Sequence, residues 1–307
     1  MISGKNIIVT GGAGFIGSNL VEMLAKDNKV YIIDNMHTGS EENVQQYIKE
    51  NNAEFIKDDA KNLNRHNIDA DMLFHLGIYS ASPMYRENPH LVAEVVDGMV
   101  SMLEYAKANS VPLVFASTSS IYNGIKPPHS ENVVPGVTDY YTEARIAAER
   151  MAELYSKLHD VNVSAMRFFS VYGRHERSKK GYANLATQFL WAMQKGEQPV
   201  IYGNGEQRRD FVYAEDVAMA LIGAMEHAKG YNVYNVGTGK NYSLNELTAK
   251  LNEKMGKDIK PKYVEMPVKN YVMETLADTS KAEKEIGFKA ATQLDQGLDK
   301  IMEYYSQ

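Results

Sequence analysis

The stretch that most constrains this chain is 7–17, Ile-Ile-Val-Thr-Gly-Gly-Ala-Gly-Phe-Ile-Gly, which runs straight into Ser-Asn-Leu-Val-Glu-Met-Leu-Ala. Its apolar, β-branched opening reads as a buried parallel strand, and the residues beyond the last glycine read as a helix. Gly11, Gly14 and Gly17 stand three apart at the corner between them. In such a corner the first glycine lets the chain reverse, the second lets backbone approach a pyrophosphate, and the third lets the helix lie on the strand. The helix N-terminus, where Phe15 and Ile16 fall, presents unpaired N–H groups to the anion. An ordinary strand-turn-helix corner needs no acid downstream. Here a second strand, 30–33, ends at Asp34, where a carboxylate would take the ribose hydroxyls of an adenosine.

An acidic Asp34 repels a 2′-phosphate and accepts from a free 2′-hydroxyl, so NAD is expected over NADP. The following residues, Asn35-Met36-His37-Thr38-Gly39-Ser40, contain no arginine or lysine to welcome the extra phosphate.

A chain of 307 residues exceeds one typical domain, and the alternation below assigns it an α/β fold with a doubly wound parallel sheet and a smaller C-terminal lobe. The expected division is a dinucleotide-binding unit at 1–168, rejoined by 206–238, and a second lobe from 169–205 and 239–307. The net charge of −6 is spread without any Lys/Arg-rich run, which argues against a nucleic-acid or anionic-membrane partner. With no cysteine, disulfides and thiolate metal sites are excluded, no metal site is expected, and a reducing cytoplasm fits. No secretory leader precedes the first strand and no apolar run of about 18 residues follows, so a soluble chain is expected.

After Asp34, 41–50 reads as a polar helix and 54–60 as a short strand closed by acids. Asp59 there fits either a contact to the adenine amine or a helix cap. The strand 72–76 leads into small residues at 77–83 that let a ligand approach backbone. A long helix at 89–109, a strand at 113–116, a hydroxyl cluster at 117–120, a helix at 139–158 and a strand at 161–168 complete the regular alternation. The polar, irregular 173–180 follows, then a helix at 184–195, a strand at 199–202 and a turn at 203–205. A helix at 215–227 and a strand at 231–236 return to the main sheet, and helices at 243–255, 281–286 and 294–304 close the chain.

Tyr141 and Arg145 are four apart, so they share one helix face and can meet one object. A guanidinium beside a phenol stabilises the phenolate, which suits a general base. Tyr140 is a rival, but the residue four beyond it is Ala144. As an isolated pair, Tyr141 and Arg145 would read as surface residues; the order glycine corner, Asp34, Ser/Thr cluster at a strand end, Tyr-x-x-x-Arg sets them apart.

With Thr-Gly-Gly-Ala-Gly-Phe-Ile-Gly from Thr10, Asp34-Asn35, His75-Leu76, 117–122, 141–149, 167–173, 202–216 and 235–239 all present, the chain resembles the extended short-chain dehydrogenases, most closely the nucleotide-sugar 4-epimerases. The resemblance implies NAD as cofactor and a UDP-sugar as substrate. It makes Tyr141 the base, Thr118 the hydroxyl sharing the sugar O4 proton network, and Arg145 the counterpart of a lysine that holds the nicotinamide ribose. It extends the cofactor site to Asn35, Gly39, Asp59, Ala60, Leu76, Gly77 and Phe168. On the substrate side it implies Ser82, Ser119, Ser170, Asn184, Leu185, Val200 and Tyr202, with Arg209 clamping the diphosphate through paired donors. Departures from the pattern are Ser170 and Val95 at asparagine positions and Val268 and Tyr271 at an arginine and an aspartate position, with Lys269 a substitute cation. The dehydratases of this group carry carboxylates just after the threonine, where this chain has Ser119 and Ser120; a non-catalytic NAD- or nucleotide-sugar-binding protein is the other alternative. The resemblance also implies a homodimer through the helices 89–109 and 139–158. In the epimerases the position of Thr275 walls the pocket beside the sugar C2 substituent. A small residue there leaves room for an acetamido group, so UDP-N-acetylglucosamine and UDP-N-acetylgalactosamine are the expected pair, with UDP-glucose and UDP-galactose a second.

Overall fold

The computed structural model of the protein describes residues 2–267 and 269–306. Its first half alternates strand and helix: β1 (Asn6–Thr10), α1 (Phe15–Leu24), β2 (Lys29–Ile33), α2 (Gln45–Lys49), β3 (Ala53–Ile56), β4 (Met72–His75), α3 (Ser82–Glu87), α4 (Leu91–Asn109), β5 (Leu113–Thr118), α5 (Tyr140–His159) and β6 (Val163–Phe168). Then come β7 (Ser170–Tyr172), α6 (Leu185–Gln194), β8 (Val200–Tyr202), β9 (Arg208–Arg209), β10 (Phe211–Tyr213), α7 (Ala214–Glu226), β11 (Tyr231–Val236), β12 (Tyr242–Ser243), α8 (Leu244–Met255), β13 (Lys262–Val264), α9 (Ser280–Ile286) and α10 (Leu294–Tyr305).

Seven strands form one sheet in the order β11-β6-β5-β4-β1-β2-β3, every neighbour parallel. The order reverses between β1 and β4, and a crevice opens there beyond the strand C-termini. Side-chain alternation in β1 divides the core. Ile7 and Val9 pack toward α1 and α7 with Leu20, Val21, Val217 and Leu221, whereas Ile8 faces α4 and α5 with Met99, Leu103, Ala144 and Ala148. A third core joins α6, α8 and α10 through Phe189, Leu190, Leu247, Leu251 and Leu298.

The expected single helix over 41–50 is instead a 3-10 turn at Glu41–Asn43 followed by the short α2, because Val44 between them leaves helical geometry at φ −126°. Within α2 itself no residue is buried, so tertiary packing does little to extend it. By contrast α5 is capped by Asp139, whose side chain accepts from Thr142 N, and small residues Ala144, Ala148 and Ala152 form its buried stripe. The expected return to the sheet is seen as β11 pairing with β6 from Tyr231↔Val163 to Val236↔Phe168.

One buried polar cluster fixes α5 to the sheet. Arg167 on β6 grips Glu149 on α5 bidentately, at 3.0 Å from Nε and 2.7 Å from Nη2, and Ser117 on β5 donates to the same carboxylate. Arg167 Nη1 also donates to Tyr122 Oη at 2.9 Å, and Tyr122 in turn donates to Asn235 Oδ1 on β11 at 2.6 Å. Removing one member leaves the other charge buried and unpaired. Glu149→Ala is therefore expected to lower the unfolding free energy by about 3–5 kcal/mol, read from urea denaturation, with Glu149→Gln losing less because it keeps hydrogen-bond acceptance.

Candidate active site

A cleft of about 420 Å³ runs beyond the C-terminal ends of β1, β2, β4, β5 and β6. Its first wall is the glycine corner. Gly11 has φ +69°, and a Cβ there would lie 2.5 Å from Gly77 N; at Gly17 it would lie 2.0 Å from Gly11 O. Both close approaches require glycine. Gly14 caps α1 without any side-chain hydrogen bond, so the first N–H groups of that helix are left for an anion in the cleft.

Asp34 is buried beside this corner and accepts from Ala13 N at 3.1 Å and Met36 N at 2.8 Å. Burial pushes its carboxyl above the usual range, against the pull of these backbone donors. Gly39 lies over the carboxylate, where a Cβ would stand 3.0 Å from it. Asp59 takes the cap role, accepting from Lys61 N at the start of the following 3-10 helix; it also lines the cleft and accepts from Asn35 Nδ2 at 3.1 Å.

At the other end, Thr118 closes β5; its Oγ1 accepts from Ser120 N at 3.1 Å, which leaves the hydroxyl proton free to donate into the cleft. Tyr141 stands in the first turn of α5, edge-on to Tyr85, with the Arg145 guanidinium 5.1 Å from its ring centroid. Arg145 is 3% exposed and donates Nη2 to Tyr79 O at 2.8 Å, while its Nε and Nη1 are buried without a partner. Orphaned donors on a buried cation are costly, and these border the cleft. His75 beside it is pushed down to about 3, first by burial and then by Arg145, so it is neutral there. Its Nδ1 pairs with Thr10 Oγ1 at 2.7 Å, and that hydroxyl also accepts from Gly77 N at 3.3 Å. The glycine cradle, Asp34 and the unpartnered Arg145 donors together fit an NAD-type dinucleotide.

The substrate-side expectations divide. Ser82, Ser119, Ser170, Asn184, Arg209 and Thr275 line the cleft. Ser82 donates to Asp139 Oδ2 at 2.7 Å and so braces the cap of α5; Asn184 caps α6 through Ala186 N and donates to Ser170 Oγ at 3.3 Å. Thr275 is 4% exposed, and its oxygen accepts from Asp210 N at 3.2 Å. Arg209 has no carboxylate partner among the described residues; it donates to Arg208 O and lies 5.3 Å from the Tyr271 ring centroid, with burial lowering its proton affinity. Leu185, Val200 and Tyr202 stand outside the cleft wall. β8 turns Ile201 inward, which leaves Val200 and Tyr202 exposed on the alternate positions, although Tyr202 faces Tyr271 at 6.4 Å. Lys269 is exposed and also outside the wall, and Val268 lies outside the described residues.

Several wall residues were not assigned from the sequence, and two of them matter most for the charge in the cleft. Tyr79 supplies the carbonyl that holds Arg145, and Lys179 enters from the irregular 173–180. Neither had a local spacing to betray it.

Residues 7–237 match the model of the NAD dependent epimerase/dehydratase family. The chain is 31% identical over 304 residues to the putative UDP-glucose 4-epimerase of Methanocaldococcus jannaschii, covering 97% of each. It is 29% identical over 309 residues to UDP-glucuronic acid decarboxylase 1 of Xenopus tropicalis, covering 98% of this chain and 72% of that one. Among solved structures, a UDP-N-acetylglucosamine 4-epimerase from Methanobrevibacter ruminantium M1 in complex with UDP-N-acetylmuramic acid superposes with a TM-score of 0.93 at 30% identity, covering 99% of both chains.

Asp34 is expected to set the choice between dinucleotides. Asp34→Ser should weaken NAD binding by about tenfold or more, the worth of charged hydrogen bonds to ribose, and narrow its preference over NADP, measured by titration calorimetry with both.

Proposed function

Because the chain belongs to the NAD dependent epimerase/dehydratase family, we propose that it is a UDP-hexose 4-epimerase whose principal substrates are UDP-N-acetylglucosamine and UDP-N-acetylgalactosamine, with UDP-glucose and UDP-galactose also accepted. The observation that carries this reading is that Thr118, Tyr141 and Arg145, with its two unpartnered donors, line one cleft together with Arg209, which has no carboxylate partner among the described residues. When bound, NAD supplies a reversible oxidant for the sugar C4. Tyr141 takes the O4 proton and returns it, and Thr118 donates to O4 and aligns it. Arg145 holds the nicotinamide ribose and stabilises the phenolate; its charge is permanent, so it does this without exchanging protons itself. Inversion at C4 requires the hexose to present both faces. Arg209 retains the diphosphate while the sugar turns.

Ser119 and Ser120 lack the carboxylic acid and base needed to expel a C6 oxygen, which disfavours dehydration. The similarity to a decarboxylase makes UDP-glucuronic acid the necessary control substrate. We read the protein as a cytoplasmic homodimer paired through α4 and α5, where Leu154 and Leu158 stay 44% and 65% exposed on the single chain; among the described residues no helix is long and apolar enough to cross a membrane.

The purified protein is to be incubated with the four UDP-hexoses and UDP-glucuronic acid, with products separated by chromatography. Epimers of the N-acetylated pair support the reading; a pentose product with CO₂ release, or unchanged sugars throughout, overturns it. Tyr141→Phe should retain NAD and fold while turnover falls by about two to four orders of magnitude, measured as kcat. Thr275→Tyr should cut turnover of the N-acetylated pair by about tenfold or more through overpacking and spare UDP-galactose, read as the ratio of kcat/KM values.

A further inference from the structure

The 174–182 segment departs from the sheet region and lies back along α1 rather than projecting into solvent. Three hydrogen bonds and an ion pair fasten it there: Ser18 Oγ pairs with His175 Nδ1 at 2.7 Å, Asn19 Nδ2 donates to Arg174 O at 3.3 Å, Arg174 pairs with Glu22 at 2.9 Å, and Ser178 Oγ donates to Thr38 O at 2.7 Å. Thr38 belongs to the loop that follows Asp34, and that loop is itself tied to the glycine corner by Ser40 N donating to Ala13 O. The segment therefore spans from the helix behind the corner to the loop in front of it.

At its apex is Lys179, whose Nζ lies 5.2 Å from the ring centroid of Phe15, the first residue of α1. Lys179 lines the cleft and forms no ion pair with a described carboxylate. The nearest acid in the segment, Glu176, accepts from Asn184 N at 2.8 Å and from the Thr187 hydroxyl, and it attracts Lys179 only through space, beyond ion-pair distance. Lys180 follows with φ +50°, which breaks the helical geometry of the segment. An ammonium with no carboxylate at ion-pair distance among the described residues, held beside an uncapped helix N-terminus, favours an anion between the two.

We propose that residues 174–180 form a fixed strap across the dinucleotide mouth and that Lys179 is a positioning residue for the cofactor, its ammonium pairing with the pyrophosphate from the side opposite the glycine corner. Backbone N–H groups alone give that pyrophosphate partial charges; Lys179 gives it a whole one. The sugar nucleotide's diphosphate has its own cation in Arg209, so the two anions are held by separate residues. This inference depends on the dinucleotide site alone and stands whichever sugar is turned over.

The test compares wild type, Lys179→Met and Lys179→Arg. The readouts are NAD content after purification, and calorimetric Kd values for ADP-ribose, adenosine and UDP on protein freed of NAD, at low and high salt. The expected result for Lys179→Met is ADP-ribose weakened by about tenfold to a hundredfold, adenosine and UDP unchanged, a loss that shrinks as salt rises, and Lys179→Arg close to wild type. Unchanged ADP-ribose affinity overturns the proposal. So does equal weakening of adenosine and ADP-ribose, which marks a merely structural lysine, or a loss confined to UDP, which moves the cation to the substrate.

Discussion

Glu149 and Arg167 meet in the seam between α5 and the sheet, and the geometry of the cleft depends on that pair. Glu149 lies on the same helix as Tyr141 and Arg145, and Arg167 lies on the strand beside the one that ends in Thr118. Ser117, next to Thr118, donates to the same carboxylate. The charge pair thus ties together, at short range and with fixed angles, the two elements that carry Tyr141 and Thr118 into the cleft. Ser82 makes a second tie at the other end of α5, through the Asp139 cap.

The protein carries a net charge of −6, yet Arg145, Arg209 and Lys179 line the cleft with no carboxylate at ion-pair distance among the described residues. Each is at least partly removed from water, so each retains an unmet demand for an anion or an acceptor. Acids that line the cleft, Asp34 and Asp59 among them, gather at the end expected to take the adenosine. On the proposed reading, this separation of charge would favour one direction for a dinucleotide, with its ribose hydroxyls toward the acids and its phosphates toward the cations.

Much of this was legible in the chain because it rests on short-range chemistry. The glycine corner, the acid at the end of the next strand and the Tyr-x-x-x-Arg spacing each lie within a few dozen residues, and their geometry follows from strand and helix periods. The alternation of elements likewise prescribed the parallel sheet. The helix expected over 41–50 failed for a local reason as well, since it buries too little to overcome the break at Val44.

What the sequence by itself determined is therefore the sheet, the glycine corner and the placing of Tyr141 and Arg145 on one face of α5. Only the tertiary structure decided which distant residues join them. It turned Val200 and Tyr202 out of the wall while burying Ile201, set Tyr79 O against Arg145, and brought Lys179 to Phe15 across more than 150 residues of chain. Such contacts have no period to reveal them: they arise when helices and crossovers pack on the finished sheet, where burial and the demand for hydrogen-bond partners select among many residues that look alike in the chain.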